Sequence, residues 1–357
     1  MGKYYIIVWA LHLMACSGGN ENQTSTAQPT VLDNSKEVAC FLYHRFGDSR
    51  YPSTNTSLKS FKAHLSYLQS QGFQVLTLSA AIDYLRSGDK KKKTAVITID
   101  DGYKSFYEKG LPLLREFGYP ATLFINTETV GGGDYMSWDE INQAQKQGIE
   151  IGNHTHSHAF FMDRPETERY TDFENELKLA QRLIEENTDI APTLFAYPYG
   201  ELDPGMKETV KKLGFKAAAA QNSGIIYPAT DFMQLPRFPM SEAYADQFPA
   251  KARMKALRVS RKDPQSFLLP AGNTQPSLEL AFDAGDLQLD QLQCFIQGGE
   301  CKIEWAKDDE GVVTLSAVPL TPIGRQRRTL YTITIPDREG KWHWYSHLWI
   351  NPNIKSG

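Results

Sequence analysis

From residue 37 to about residue 237, short apolar runs alternate with amphipathic stretches at helical spacing, a pattern that few folds can accommodate. The runs at 38–43, 73–78, 94–99, 121–125, 149–152, 193–197 and 216–220 have strand length. Run 94–99 is β-branched and apolar on both faces, as a strand covered on both sides must be. Between the runs, Leu58, Phe61, Leu65 and Leu68 fall on one helical face behind a Ser57 cap, and Ser137 with Glu140 makes a capping box. Further helices are expected over 79–86, 103–117, 166–186 and 204–213. About seven β/α units in some 200 residues predict an α/β fold: a (β/α) barrel, complete or incomplete, with its chemistry where the strands end.

The remaining residues of the 357 need a second unit. After about residue 264, short alternating segments at 277–282, 291–296, 301–305, 312–317, 329–335 and 342–350 are separated by Gly, Pro and Asp clusters. These predict a small all-β sandwich. The stretch 241–262 is helix-compatible apart from Pro249 and is expected to connect the two. Lys plus Arg is 38 against 42 for Asp plus Glu, a net charge of −4. That balance excludes a nucleic-acid binder working through a broad basic surface. No apolar run reaches the roughly 20 residues of a spanning helix, which excludes a multi-pass membrane protein.

Residues 1–15 have the form of a secretion signal, with Lys3 ahead of an apolar stretch too short to span. The stretch ends in Leu13-Met14-Ala15-Cys16, which resembles the bacterial lipobox; the alternative is a plain signal peptide with an incidental cysteine. On the lipobox reading Cys16 is lipidated, and the following Ser17 favours outer-membrane anchoring that faces the periplasm. Residues 16–36 are rich in Gly, Asn, Ser, Thr and Gln and are expected to form a flexible tether. The expected organisation is thus signal 1–15, tether 16–36, catalytic domain 37–263 and β module 264–357. Cys294 and Cys301 flank a six-residue loop suited to closure as a disulfide in an oxidising compartment. A zinc site there lacks further ligands, and Cys40 lies in a buried run.

Four signals sit at predicted strand ends. Asp100-Asp101-Gly102 follows run 94–99; the same triplet also makes a good solvated turn. Asn153-His154-Thr155-His156-Ser157-His158 puts three of the eight histidines in five residues. His154 and His158 can reach one cation, and with a carboxylate they give the layout of a hydrolytic metal site. The third is Phe195-Ala196-Tyr197-Pro198-Tyr199-Gly200 and the fourth Tyr43-His44-Arg45. Two weaker features are the solvated run Lys90–Lys93 and the aromatic cluster Trp342, Trp344, Tyr345 and Trp349. One face of that cluster is expected to fill the sandwich core, and the other to pack between domains or stack on sugars.

Together these motifs resemble the polysaccharide deacetylases, carbohydrate esterase family 4 or the NodB-homology family, over residues 37–240. The family pattern is an Asp-Asp pair, then His-Ser/Thr-x-x-His, then Arg-x-Pro-Tyr. Here Ala196 stands where the family has Arg, and no late histidine follows His158 within the catalytic domain. Both departures resemble the permuted poly-β-1,6-N-acetylglucosamine deacetylases of biofilm export, in which an early Tyr-His-Arg supplies the catalytic histidine. The resemblance implies Asp101, His154 and His158 as ligands of a divalent metal, Zn²⁺ or alternatively Co²⁺ or Ni²⁺, with His156 turned away. It further implies Asp100 as base, His44 as acid and the Tyr199 backbone at the oxyanion. Arg237, in Leu235-Pro236-Arg237-Phe238, is the candidate to stand in for the missing arginine at base or substrate. The implied partners are an N-acetylglucosamine polysaccharide, a membrane through the lipid anchor, and an export machinery. Peptidoglycan or chitin-like substrates, and a non-catalytic glycan-binding lipoprotein, are the competing expectations.

Overall fold

A computed structural model describes residue 1 and residues 33–355. The expected signal, Cys16 and nearly all of the tether lie outside the described residues. The strand Val38–Tyr43, buried throughout, runs parallel to Thr94–Asp100. On its other edge Thr94–Asp100 pairs first with Gln74–Leu76 and then with Ala121–Ile125. The sheet continues in parallel through Ile149–Asn153, Leu194–Ala196 and Ala217–Ala219, while Ile225–Ile226 returns antiparallel on Val38–Tyr43. Among the described residues no eighth β/α unit follows. Instead the segment 235–239 spans the gap: Leu235 bridges to Ala219, and Phe238–Pro239 pairs with Phe41 and Leu42. The fold is an incomplete (β/α) barrel with an all-β module after it.

Alternation along the first strand shows why its sequence is apolar at every position. Ala39, Phe41 and Tyr43 join the cluster that contains Phe61, Leu65 and Leu68 of helix Leu58–Ser70. Val38 and Cys40 join the one that contains Leu78, Ile82 and Leu85 of helix Leu78–Arg86. Both faces are covered, as in other parallel sheets. Cys40 is a free buried thiol whose pKa burial pushes up to about 12. The helix expected over 103–117 is divided into a wide turn, Phe106–Gly110, and a regular helix, Leu111–Phe117. Pro112 explains the division: it has no N–H to donate back, so the regular helix starts beside it.

The β module consists of two four-stranded sheets. One contains Lys255–Ala256, Trp342–Ile350, Arg328–Pro336 and Gln293–Ile296; the other contains Val259–Asp263, Leu278–Asp283, Val312–Pro319 and Cys301–Lys307. Leu280, Phe282, Leu315, Tyr331, Ile333 and Trp349 are buried together in its core. The disulfide Cys294–Cys301 joins a strand of each sheet. The stretch expected to be a helical connector is helical only in short turns, Glu242–Gln247 and Phe248–Lys251. Lys255–Ala256 and Val259–Asp263 are strands because partners distant in sequence supply their ladders, which overrides local helix compatibility. The other face of Trp342–Ile350 meets the barrel. Trp344 packs on Phe238 with ring centroids 5.7 Å apart, and Leu348 and Ile350 share a core with Phe195 and Tyr197.

Charged pairs cross the same join. Glu37 accepts from Lys255 at 3.0 Å and Arg258 at 3.3 Å. Arg327 grips buried Glu201 with both arms, at 2.6 and 2.7 Å, and also reaches Asp163 at 2.5 Å.

A buried histidine gives the fold a pH dependence. His64 stacks on Phe248 at 4.2 Å, accepts from the Tyr43 hydroxyl at Nδ1 (2.9 Å) and donates from Nε2 to the Ala245 carbonyl (3.0 Å). Burial pushes its pKa down to about 4. A group whose pKa is depressed by folding contributes stability above its unfolded value, about 6.5 for histidine, and loses it as the pH falls toward the folded one. Thermal melts between pH 7 and 4 should therefore show His64→Phe losing less stability than the parent across that window. Equal slopes would refute the assignment.

Candidate active site

The four strand-end signals converge at the mouth of the barrel. Asp100 is the last residue of the strand Thr94–Asp100 and is fully buried, and Asp101 follows in a left-handed conformation, φ 76°. Beyond Ile149–Asn153, the Asn153 side chain accepts from the Thr155 N–H (2.8 Å) and the Thr155 hydroxyl from the His158 N–H (3.1 Å). These bonds wind the segment into a tight turn, with φ 68° at Thr155 and 54° at His158. Positive φ at a β-branched residue costs of order 1–3 kcal/mol and survives where the surroundings enforce it, most often at functional sites.

The turn brings three ligand-type groups together. His154 Nε2 lies 3.4 Å from Asp101 Oδ1, His158 Nε2 lies 3.3 Å from the same oxygen, and the two imidazole nitrogens are 3.2 Å apart. All three donor atoms fall within 4.8 Å of one another. His154 Nδ1 lies 2.7 Å from the Ala196 carbonyl, a bond that requires the proton on Nδ1 and turns the Nε2 lone pair to the cluster. Burial lowers the pKa of His158 to about 4, so its ring is neutral near pH 7. Asp100 and Asp101 outweigh burial and hold the His154 pKa above its usual value, a preference for positive charge that a cation can satisfy in place of the proton. Two imidazoles and an ionised carboxylate aimed at one point fit a divalent cation. His156 is turned away and pairs with the Thr127 hydroxyl at 2.8 Å.

Asp100 is held from behind. Arg237 Nη1 and Nη2 donate to its two oxygens at 2.8 Å each, and Arg237 Nε donates to the Ala220 carbonyl at 2.9 Å. Burial alone would raise the Asp100 pKa, but Arg237 and His154, with a smaller contribution from His44, outweigh it and keep the carboxyl below its usual range. Each carboxylate oxygen keeps a lone pair beyond those Arg237 uses, and Oδ2 lies 3.9 Å from His154 Nε2, at the edge of the ligand cluster. Arg237 is fully buried, so it is placed to orient Asp100 and not to touch substrate. His44 is half-exposed at the end of the strand Val38–Tyr43 and contributes to the field that lowers Asp101. Tyr199 has φ 58°, stacks on Phe160 at 3.5 Å and presents its ring edge-on to His158 at 4.4 Å. Gly200 must be glycine: a Cβ would lie 2.7 Å from the Gln221 backbone nitrogen.

Two features of the mouth went unread in the sequence. Arg45 is clamped between the rings of Tyr51 (3.8 Å) and Tyr103 (3.5 Å) and reaches Asp48 at 3.2 Å, forming the wall beside His44. Its only signal was adjacency to His44. Arg328, from the β module, donates to the Tyr199 carbonyl at 2.9 Å, and nothing local in the sequence announces that bond.

The sequence signature described as polysaccharide deacetylase matches residues 87–218, which span Asp100, Asp101, His154, His158 and Tyr199. Residues 87–218 thus form a stretch of the polysaccharide deacetylase kind. YxkH of Bacillus subtilis, described as a polysaccharide deacetylase, is 25% identical over 190 residues, covering 53% of this chain and 66% of that protein. A poly-β-1,6-N-acetyl-D-glucosamine N-deacetylase of Staphylococcus aureus is 24% identical over 212 residues, covering 57% of this chain and 73% of that one. Among solved structures, IcaB from Ammonifex degensii is 26% identical with a TM-score of 0.55, over 61% of this chain and 97% of its own. The Staphylococcus relative, named an N-deacetylase, is by that name a hydrolase acting on an amide. The matched stretch 87–218 contains three of the four strand ends at the mouth.

The buried pair yields a stability test. Removing one partner of a buried ion pair typically costs about 3–5 kcal/mol, because the other is left charged and alone. Arg237→Met should lose about that much in denaturant unfolding, and Arg237→Met with Asp100→Leu should recover much of it. A double variant no better than the single one would mean that Arg237 stabilises through packing rather than through Asp100.

Proposed function

We propose that this protein is a metal-dependent N-deacetylase of poly-β-1,6-N-acetylglucosamine. The observation that carries the reading is the convergence of Asp101, His154 and His158 beside a buried, arginine-gripped Asp100. The Staphylococcus relative supports the choice of glycan, as does the early Tyr43-His44-Arg45. Asp101, His154 and His158 hold the divalent metal; Zn²⁺ suits two imidazoles and a carboxylate, and Co²⁺ or Ni²⁺ also fit. When bound, the metal supplies Lewis acidity, acidifying water and polarising a carbonyl oxygen.

The rest is done by side chains of the chain. Asp100, ionised and fixed by Arg237, takes the proton from the attacking water as the new C–O bond forms at the acetyl carbon. The Tyr199 peptide lies at the developing oxyanion. His44, protonated, gives its proton to the sugar nitrogen as the C–N bond breaks, and acetate and a free amine leave.

Defined β-1,6 and β-1,4 oligomers incubated with metal-loaded protein should release acetate, faster from the β-1,6 series. His154→Ala should lose both bound metal by elemental analysis and acetate release. Asp100→Asn should keep the metal while losing about 10²-fold or more in kcat. His44→Ala should lose far more on the amide than on an aryl acetate, whose leaving group needs little protonation. Equal losses on both substrates would remove His44 from the acid role, and metal-loaded protein inert on every oligomer would overturn the reading.

We further propose that Cys16 carries lipid, anchoring the enzyme to the outer membrane on the periplasmic side, beside an exopolysaccharide export machinery. The Leu13-Met14-Ala15-Cys16-Ser17 run supports this reading. Cys16→Ser should shift the protein from the membrane fraction to the soluble periplasm. Unchanged fractionation would reject the anchor.

A further inference from the structure

Where the barrel mouth meets the β module there is an open groove of about 660 Å³, within the roughly 300–1,000 Å³ of ligand sites. Tyr199, Gln221 and Tyr244 line it from the catalytic side, and Phe295, Gln297 and Trp344 from the module. The groove and the candidate active site meet at Tyr199, which lines the groove and whose ring faces His158 at 4.4 Å. A glycan presenting one acetamide to the metal ligands has a direct path past Tyr199 into it.

The lining suits a neutral sugar chain. Aromatic rings offer faces to the C–H surfaces of pyranose rings, and carboxamides both donate to and accept from hydroxyl and acetamido groups. Phe295, on the strand that carries Cys294 of the disulfide, is 55% exposed, and Tyr244 is 46% exposed. Both rings border the same groove and are open to a ligand lying in it.

The charge of the lining is one-sided. No aspartate or glutamate lines the groove, whereas Lys251, Arg327 and Arg328 do. Arg327 is matched by Glu201 and Asp163. Lys251 instead lies over the Tyr244 ring at 4.9 Å, and Arg328, half-exposed, donates to the Tyr199 carbonyl and lies only at the 4.0 Å edge of the Glu201 carboxylate that Arg327 already holds. Each acetyl group removed from the polymer leaves an amine that is protonated near neutral pH. A sugar so altered meets like charge in the groove, and like-charge juxtaposition works against binding.

We propose that this groove is a subsite, built largely by the β module, that holds the still-acetylated stretch of the glycan being processed and rejects stretches already deacetylated. Phe295 and Tyr244 are its specificity-determining residues. The proposal rests on the deacetylase reading above, and the following experiment separates the two. Acetate release is measured with N-acetylglucosamine oligomers of two to six sugars, in both β-1,6 and β-1,4 linkage. The same is done with hexamers that carry a single acetyl group among free amines.

For the parent, kcat/KM should rise about tenfold or more with length, mainly through KM, and the amine-bearing hexamer should be used at least about fivefold less well than the fully acetylated one. Phe295→Ala with Tyr244→Ala should abolish the gain with length and leave the shortest substrate unaffected. Gln297→Glu with Gln326→Glu, which places two carboxylates on the lining, should narrow or reverse the preference against amines. Undiminished length dependence in the aromatic variant, or equal use of acetylated and amine-bearing hexamers by the parent, would overturn the subsite. Should no oligomer release acetate, the deacetylase reading fails. The groove is then decided by titrating acetylated hexamer against parent and aromatic variant through tryptophan fluorescence: a Kd raised about tenfold in the variant supports it, and an equal Kd overturns it.

Discussion

A guanidinium and a carboxylate, both out of reach of water, hold this molecule's chemistry in place. A buried ion pair seldom adds net stability, because desolvating both charges costs about as much as their attraction returns. The pair of Arg237 and Asp100 is therefore better understood by what it keeps available, an ionised carboxylate fixed in direction inside a dry barrel. Its position in the fold matters equally. Arg237 lies between Leu235, which bridges to the last parallel strand, and Phe238, which pairs with the first. Closing the barrel and aiming the Asp100 carboxylate are one structural event.

Around that pair the site is assembled from loops that each give up some backbone comfort. Asp101, Thr155, His158 and Tyr199 all have positive φ, and each follows a different strand end or lies in the same turn as one that does. A rigid parallel sheet beneath makes such conformations tolerable, since the strands fix where every loop begins. The His154 bond to the Ala196 carbonyl shows the economy of the arrangement. The alanine that departs from the general family pattern contributes its main chain, and that main chain sets the tautomer of His154 on the neighbouring strand.

Much of this was legible in the sequence, and the unread parts share a cause. Strands such as Val38–Tyr43 declare themselves because burial on both faces demands apolar residues at nearly every position. The capping box at Ser137 and Glu140 is equally local and formed as expected. The Asp and His motifs were readable because the spacing of ligands within one turn is a local property. The grip of Arg237 on Asp100 spans 137 residues and depends on how the barrel closes, so the Leu-Pro-Arg-Phe context only nominated it. Lys255–Ala256 and Val259–Asp263 were mistaken for a helical connector because their residues suit either state, and only their partners in the sandwich decide. Arg45 and Arg328 touch the mouth through contacts that no spacing rule encodes.

The Arg327–Glu201 pair bears on what counts as a domain here. Glu201 follows the Tyr199 loop by two residues and is buried, while its only bidentate partner among the described residues comes from the far end of the chain. If the β module melted alone, it would strand a carboxylate inside the catalytic half; if the barrel melted alone, it would strand a guanidinium on the module. Each half is therefore less stable alone than joined, which favours the two opening as one cooperative unit. A boundary drawn from sequence composition then marks a change of architecture without marking a place where the chain can be divided.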